Sequence, residues 1–372
     1  MFAFIRSELA FLYAVATIIV IYVINPDWLT DLSHPLPLSA LFAWIFGIVA
    51  WASFGAVHHA DCLAKLLGEP YGTLILTMAA TLIEISVMAE MMVEAHPNPG
   101  LPRDTMMAIA MIVLNGMVGV CLLIGGIKFR EQEINLQGTQ AFLGVLITLA
   151  VLALVLPRFM TRTSEFEIKL ARAIPLSLLS VILYGAFITI QTIRHRNFFL
   201  EPRAERTKRI QKHGKHPEGM KTKSWPYHSI ILILMLVTVV LLAEKLAILV
   251  NEGLRMLNVP TAAAGILIAA LVLAPEGFAA IRAARLNHLQ RALNISLGSA
   301  LATISLTVPA VVTFSMVTGT PIVLGLGDSG MVLLTLTLLV SVVTFAGPRT
   351  NILQGAVHLV IFAIYLTMVM AP

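Results

Sequence analysis

The chain has 372 residues, of which 58% are hydrophobic and only 12% charged, and its mean hydropathy is +0.89. Soluble domains carry about 25% charged and about 45–50% apolar residues, so a water-soluble globular protein is excluded, as is a disordered chain with its opposite bias. The net charge of +5 is concentrated between Arg194 and Lys223, where ten Lys or Arg face Glu201, Glu205 and Glu218, and this is not the basic face of a nucleic-acid binder.

Windows free of Asp, Glu, Lys and Arg occupy residues 9–26, 35–60, 105–127, 134–157, 173–193, 224–243, 256–275, 292–327, 329–348 and 350–372. About 20 apolar residues cross a bilayer as a helix. The residue-by-residue alternation of an outer-membrane barrel is missing. The first window follows Arg6 and has no small-residue cleavage pattern before Pro26, so it reads as a retained helix rather than a signal peptide. A further span, 70–93, breaks the charge filter only at Glu84 and Glu90. The window 292–327 is too long for one span, and Pro309, Gly319, Pro321, Gly325 and Gly327 crowd its second half; a helix to about residue 316 followed by a loop is expected. The fold class is therefore an all-α integral membrane protein with eleven transmembrane helices. Cys62 and Cys121 lie on apolar runs and read as buried free thiols, too few for a disulfide framework or a thiolate metal site.

Lys and Arg in the loops set orientation. With the N-terminus inside, inner segments hold 18 of these residues and outer ones 7. This predicts a cytoplasmic N-terminus, a cytoplasmic 194–228 loop and an external C-terminus, in a bacterial inner membrane. The polar loop, with His213 and His216 in a Lys-Xaa-His rhythm, reads first as a solvated linker touching anionic lipid headgroups. A metal or pH sensor is the sharper alternative for those histidines.

The linker divides the chain into 1–34 (an N-terminal helix), 35–193 (a first five-helix unit), 194–228 (the basic linker) and 229–372 (a second five-helix unit). The two units share an order of landmarks: Pro70, Glu84, Asn115 to Gly119 and Asn135 to Gly138 in one; Pro260, Glu276, Asn294 to Gly298 and Asn351 to Gly355 in the other. Five is odd, so the second copy enters the membrane from the opposite side, giving an inverted repeat of the kind many secondary transporters use.

Glu84 lies about 21 Å along its helix from Pro70 and Glu276 about 24 Å along its own from Pro260, at 1.5 Å per residue. Travelling in opposite directions, both reach the middle depths of a core about 30 Å thick. A carboxylate there must be protonated, paired or facing a polar cavity, and no Lys or Arg stands near either one on its helix. Two such groups in one site hold protons or exchange them for a hard cation, for which oxygen ligands suit Ca²⁺, Na⁺ or Mg²⁺. Thr73, Thr77 and Thr81 share the face of Glu84, and Ser296, Ser299, Thr303 and Thr307 form a helical stripe in the second unit. Hydroxyls in membrane helices also bond backbone or a neighbouring helix, so each taken singly is weaker evidence. Pro275 beside Glu276 frees a backbone carbonyl four residues back. His58, His59 and Asp61 read as the interfacial end of a long helix, Glu90 and Glu94 as an outer mouth, and His358 as a packing histidine. No nucleotide-binding or hydrolase motif is present, so no enzyme activity and no resident cofactor are expected.

Residues 58–86 (HHADCLAKLLGEPYGTLILTMAATLIEIS) and 271–312 (LVLAPEGFAAIRAARLNHLQRALNISLGSALATISLTVPAVV), together with GGIKFREQEINLQG at 125–138 and RTNILQGAVHL at 349–359, resemble the calcium:cation antiporter superfamily, in its bacterial Ca²⁺(Na⁺)/H⁺ antiporter branch. The resemblance spans about 55–370 apart from the loop. It implies eleven helices, two inverted five-helix repeats and one essential Glu in each, carried here by Glu84 and Glu276, with Gly298-Ser299 as the small pair on the next helix. The stretch Ala80-Thr81-Leu82-Ile83-Glu84 departs from the Gly-Asn-Ala-Thr-Glu of many exchangers, and Ala302 and Thr303 stand where eukaryotic proton exchangers often have Gln. Fewer ligating oxygens follow.

The expected function is thus export of Ca²⁺, with Na⁺ or K⁺ also possible as cargo, in exchange for protons. The expected cation ligands are Glu84, Glu276, Thr81, Ser299 and Thr303, and the proton carriers Glu84 and Glu276. The partners are inorganic cations, protons and membrane lipid, with no nucleic acid. The alternatives are a Na⁺/K⁺-specific proton antiporter, a cation channel lined by the same acids, and an intramembrane metal hydrolase built on His58, His59 and Asp61, which lacks further ligands nearby in sequence.

Overall fold

The computed structural model describes residues 2–24, 34–67, 75, 78, 81–85, 88–89, 99–160, 167–202, 224–257 and 262–370. Ten helices lie among them: α1 (Phe2–Ile19, continued by a π turn, Val20–Ile24), α2 (Pro35–Leu67), α3 (Leu101–Phe129), α4 (Leu136–Met160), α5 (Leu170–Arg194), α6 (Trp225–Leu257), α7 (Ala262–Arg285), α8 (Leu289–Thr318), α9 (Asp328–Thr344) and α10 (Ile352–Met370). Eight of these, α2 to α8 and α10, are long and apolar enough to cross a membrane; α1 and α9 are shorter apolar helices. The expected span 70–93 falls largely outside the described residues, although 81–85, around Glu84, is helical.

Local chemistry fixes the helix ends. Pro35 opens α2, where its missing N–H costs nothing. α8 runs through Pro309 and stops at Thr318, because Gly319 takes φ 73° and returns its N–H to the Ser315 carbonyl. This matches the helix-then-loop expected for 292–327. α3 is interrupted by a π turn at Ile112–Met117. Such turns shift the direction of the side chains that follow them.

Lipid offers no hydrophobic drive for helix association, so close packing through small residues substitutes for it. A methyl carbon on Gly355 of α10 would lie 2.6 Å from the Leu123 nitrogen of α3, and one on Gly265 of α7 would lie 3.1 Å from the Thr105 nitrogen. α3 thus meets both α10 and α7 backbone to backbone. α8 packs on α4, α5 and α7, and α2 packs on α1 and α6.

Contacts sort the helix ends into two sets. At one end, His59 meets His228, Lys128 Nζ donates to the Arg285 carbonyl at 2.8 Å, Glu201 pairs with His288 at 2.6 Å, and β1 (Glu131–Glu133) pairs with a second strand, Arg349–Asn351. At the other, Tyr22 donates to Glu244 at 2.7 Å, Arg158 pairs with Asp328 at 2.7 Å, and β2 (Glu167–Ile168) pairs with β3 (Ile322–Val323); the Arg349–Asn351 strand is β4. From α3 onward successive helices alternate in direction, whereas α2 and α3 run the same way. α2 finishes at the first end, and α3 begins at the second, where Arg103 reaches the Gly325 carbonyl.

One sequence pairing needs correction. Asn135 to Gly138 opens the fourth apolar window of the first unit, whereas Asn351 to Gly355 opens the fifth of the second, so the two are not counterparts. Their local chemistry differs too: Asn351 Oδ1 accepts from the Leu353 N–H at 3.0 Å, whereas Asn135 makes no such cap and its Nδ2 donates to the Asn197 carbonyl at 3.1 Å. Their flanking strands meet each other, Glu131 opposite Asn351 and Glu133 opposite Arg349.

Candidate functional site

α8 runs through the middle of the bundle and is buried over most of its length. Ser296, Ser299, Thr303 and Thr307 are each at most 2% exposed, and their spacing sets them on one face. That face meets the two acidic side chains. The Thr303 hydroxyl donates to Glu84 Oε2 at 2.6 Å. Ser299 lies against the Glu276 carboxyl, at a geometry outside that of a formed hydrogen bond. Glu84 and Glu276 are 1% and 0% exposed and near enough to interact through their charges. The structure thus brings together Glu84, Glu276, Ser299 and Thr303. Thr81 is buried one helical turn before Glu84. Thr73, Thr77, Glu90, Glu94, His213 and His216 lie outside the described residues, as does the side chain of Asp61.

Buried polar atoms are almost always hydrogen-bonded, so exceptions ask for a reason. Among the described residues, Glu84 Oε1, both carboxyl oxygens of Glu276, Ser296 Oγ and Thr307 Oγ1 have no hydrogen-bond partner. α7 continues through Pro275, which has no N–H to offer the Leu271 carbonyl one turn back. The result is a buried cluster of hard oxygen donors. In its charged form it requires a cation, and in its neutral form it carries protons.

Other polar groups named from the sequence have different surroundings. His358 is fully buried between Asn115 Oδ1 and Thr344 Oγ1, each 3.0 Å away. It is a satisfied packing histidine, as expected. His59 meets His228 of α6, with 3.0 Å between their Nδ1 atoms, and His58 Nε2 lies 3.8 Å from Cys62 Sγ. Among the described residues no three His, Cys, Asp or Glu side chains form a group able to hold a metal ion, so the hydrolase alternative gains no support. The His59–His228 contact joins residues 169 apart in the chain, and no local pattern announces it. The Arg158–Asp328 pair was equally hidden, since each residue alone reads as a loop charge.

Comparison with known proteins gives a consistent picture. A family model described as sodium/calcium exchanger protein matches residues 38–193 and 227–371. The protein y4hA of Sinorhizobium fredii (strain NBRC 101917 / NGR234) is 38% identical over 345 residues, 92% of each chain. The sodium-potassium/proton antiporter ChaA of Escherichia coli (strain K12) is 35% identical over 366 residues, covering 98% of this chain and 97% of that one. The solved structure of native YfkE superposes with a TM-score of 0.72 over 97% of this chain and 99% of that one, at 20% identity.

Proposed function

The chain belongs to the sodium/calcium exchanger protein family, and from that membership we propose that it is a secondary antiporter moving a cytoplasmic cation outward in exchange for protons. It is a multi-pass membrane protein of a transporter family. Glu84 and Glu276 form the exchange site, alternately protonated and cation-bound, with Thr81, Ser299 and Thr303 supplying further oxygens. The observation that carries this reading is a buried pair of carboxyl groups of which three of the four oxygens have no protein partner among the described residues. Protons and cation compete for the same atoms. Exchange is then obligatory provided the site opens to one side at a time.

The cargo is Ca²⁺, Na⁺ or K⁺. Ca²⁺ suits paired carboxylates, while the naming of the E. coli relative for sodium-potassium/proton antiport makes the monovalent ions the second reading. The reading includes eleven spans, an N-terminal helix (1–34) followed by inverted five-helix units (35–193 and 229–372) around a lipid-facing linker (194–228). Three observations support it. α2 ends and α3 begins on opposite sides, so an odd number of crossings, one in this reading, joins them. The family match falls in two stretches, one on each side of the linker. The pairing of α3 with α10 is mirrored by that of α8 with α5, as exchange of two equivalent halves requires. The excess of Lys and Arg puts the N-terminus and linker in the cytoplasm and the C-terminus outside, in a bacterial inner membrane.

The test is proton movement in proteoliposomes, with Ca²⁺, Na⁺, K⁺ and Mg²⁺ added in turn. Proton release driven by at least one cation is expected. Cation current with no proton movement would make the protein a channel instead.

A further inference from the structure

The oxygen supply around the carboxyl pair is one-sided. α8 presents Ser299 and Thr303 to it, whereas α3, packed against α7, sets the thioether of Met117 beside Gly277, the residue after Glu276. A methyl carbon placed on Gly277 would lie 3.7 Å from Cγ and 3.9 Å from both Sδ and Cε of Met117. The Met117 side chain therefore lies over the helical turn that carries Glu276. The polar group next to it on α3 is directed elsewhere: Asn115 Nδ2 donates to Thr337 Oγ1 at 2.8 Å, and Oδ1 faces His358. Gly116 faces the Phe362 ring of α10. The π turn at Ile112–Met117 sets this division, with Asn115 and Gly116 toward α9 and α10 and Met117 toward α7.

The difference matters for a doubly charged ion. Hydration energy grows steeply with ionic charge, so Ca²⁺ needs more hard ligands than Na⁺ or K⁺ to leave water, and it takes about six to eight oxygens. Thioether sulfur is a weak acceptor that suits soft metals. The two carboxyl groups with the hydroxyls of Thr81, Ser299 and Thr303 fill that range only when both carboxyls bind through both oxygens, and among the described residues the Asn115 side chain of α3 is turned to other partners. We propose that Met117 is a selectivity-determining residue of the cation site, withholding a hard ligand on the α3 side and so favouring a singly charged cation over Ca²⁺. This rests on the reading of Glu84 and Glu276 as the exchange site.

The experiment uses the full chain in proteoliposomes and reads the ratio of Ca²⁺-driven to Na⁺-driven proton release. Met117→Gln keeps the side-chain volume and adds an amide oxygen; it should raise the ratio about fivefold or more. Met117→Leu keeps the volume without an acceptor and should leave the ratio at the wild-type value. Met117→Ser adds a hydroxyl and tests the same ratio should the Gln variant fail to accumulate. An unchanged ratio in the oxygen-bearing variants, or an equal shift in Met117→Leu, overturns the assignment. Failure of the underlying site would be seen separately, as wild-type flux in Glu84→Gln.

Discussion

Two buried polar clusters stand side by side in this bundle and differ in one respect. Around His358, each side-chain atom capable of a hydrogen bond has a protein partner: Asn115 on one ring nitrogen, Thr344 on the other, and Thr337 closing the set through Asn115. Around Glu84 and Glu276, three carboxyl oxygens and two nearby hydroxyls have none among the described residues. A closed network fixes helices to one another. An open one, at the same depth and burial, costs stability unless something from outside completes it. The two clusters are equally buried and differ in how much hydrogen-bonding capacity the protein leaves unfilled.

The comparison yields predictions of graded size. Glu84→Gln or Glu276→Gln, made singly, should abolish cation-driven proton flux in everted vesicles while leaving the folded protein at least as heat-stable, since each removes a charge that the interior must otherwise neutralise. Flux surviving in either variant would break the distinction at its centre. Thr303→Val deletes the donor to Glu84 and should weaken apparent cation affinity about tenfold, the scale of one hydrogen bond to a charged group, read from the cation dependence of proton release. His358→Phe opens the closed cluster instead. It should lower stability by about 1–3 kcal/mol, visible as a reduced Tm in detergent, with cation selectivity unchanged; altered selectivity would mean that the two clusters are one site. Arg349→Ala breaks contacts of 3.4 and 3.2 Å to Glu131 and Glu133, but the arginine side chain is 62% exposed. Such surface pairs are worth about 0–1 kcal/mol, so Tm and flux should both stay near wild type.

Much of this was legible in the residues. Charge-free windows located the described spans, because lipid tolerates few ionised groups, and Glu84 and Glu276 stood out by their reckoned depth from Pro70 and Pro260. The stripe from Ser296 to Thr307 was readable because a helix repeats its faces every few residues. Contacts that depend on which helices become neighbours were not readable. His59 and His228, Arg158 and Asp328, and Asn115 and His358 are each far apart in sequence, and each residue has an ordinary local explanation. Met117 was silent for another reason. A methionine in an apolar run looks like filler, and only a π turn, which leaves no compositional trace, directs it to the Glu276 turn. The paired Asn, Gln and Gly landmarks misled because they keep the same order in the chain while falling on the fourth apolar window of one unit and the fifth of the other.

The two short ladders have a mechanical meaning. β1 with β4 and β2 with β3 each fasten the first part of the chain to the second, one at each end of the bundle. They tie together the connections between α3 and α4, α4 and α5, α8 and α9, and α9 and α10, above and below the waist. Among the described residues, α1, α2 and α6 carry no such clasp and lie against one another along their length. The alternating access proposed above would then fall to this unclasped trio. A covalent bridge between positions 131 and 351 should leave turnover undiminished in a vesicle assay, and a stalled carrier would show that the clasp itself has to open.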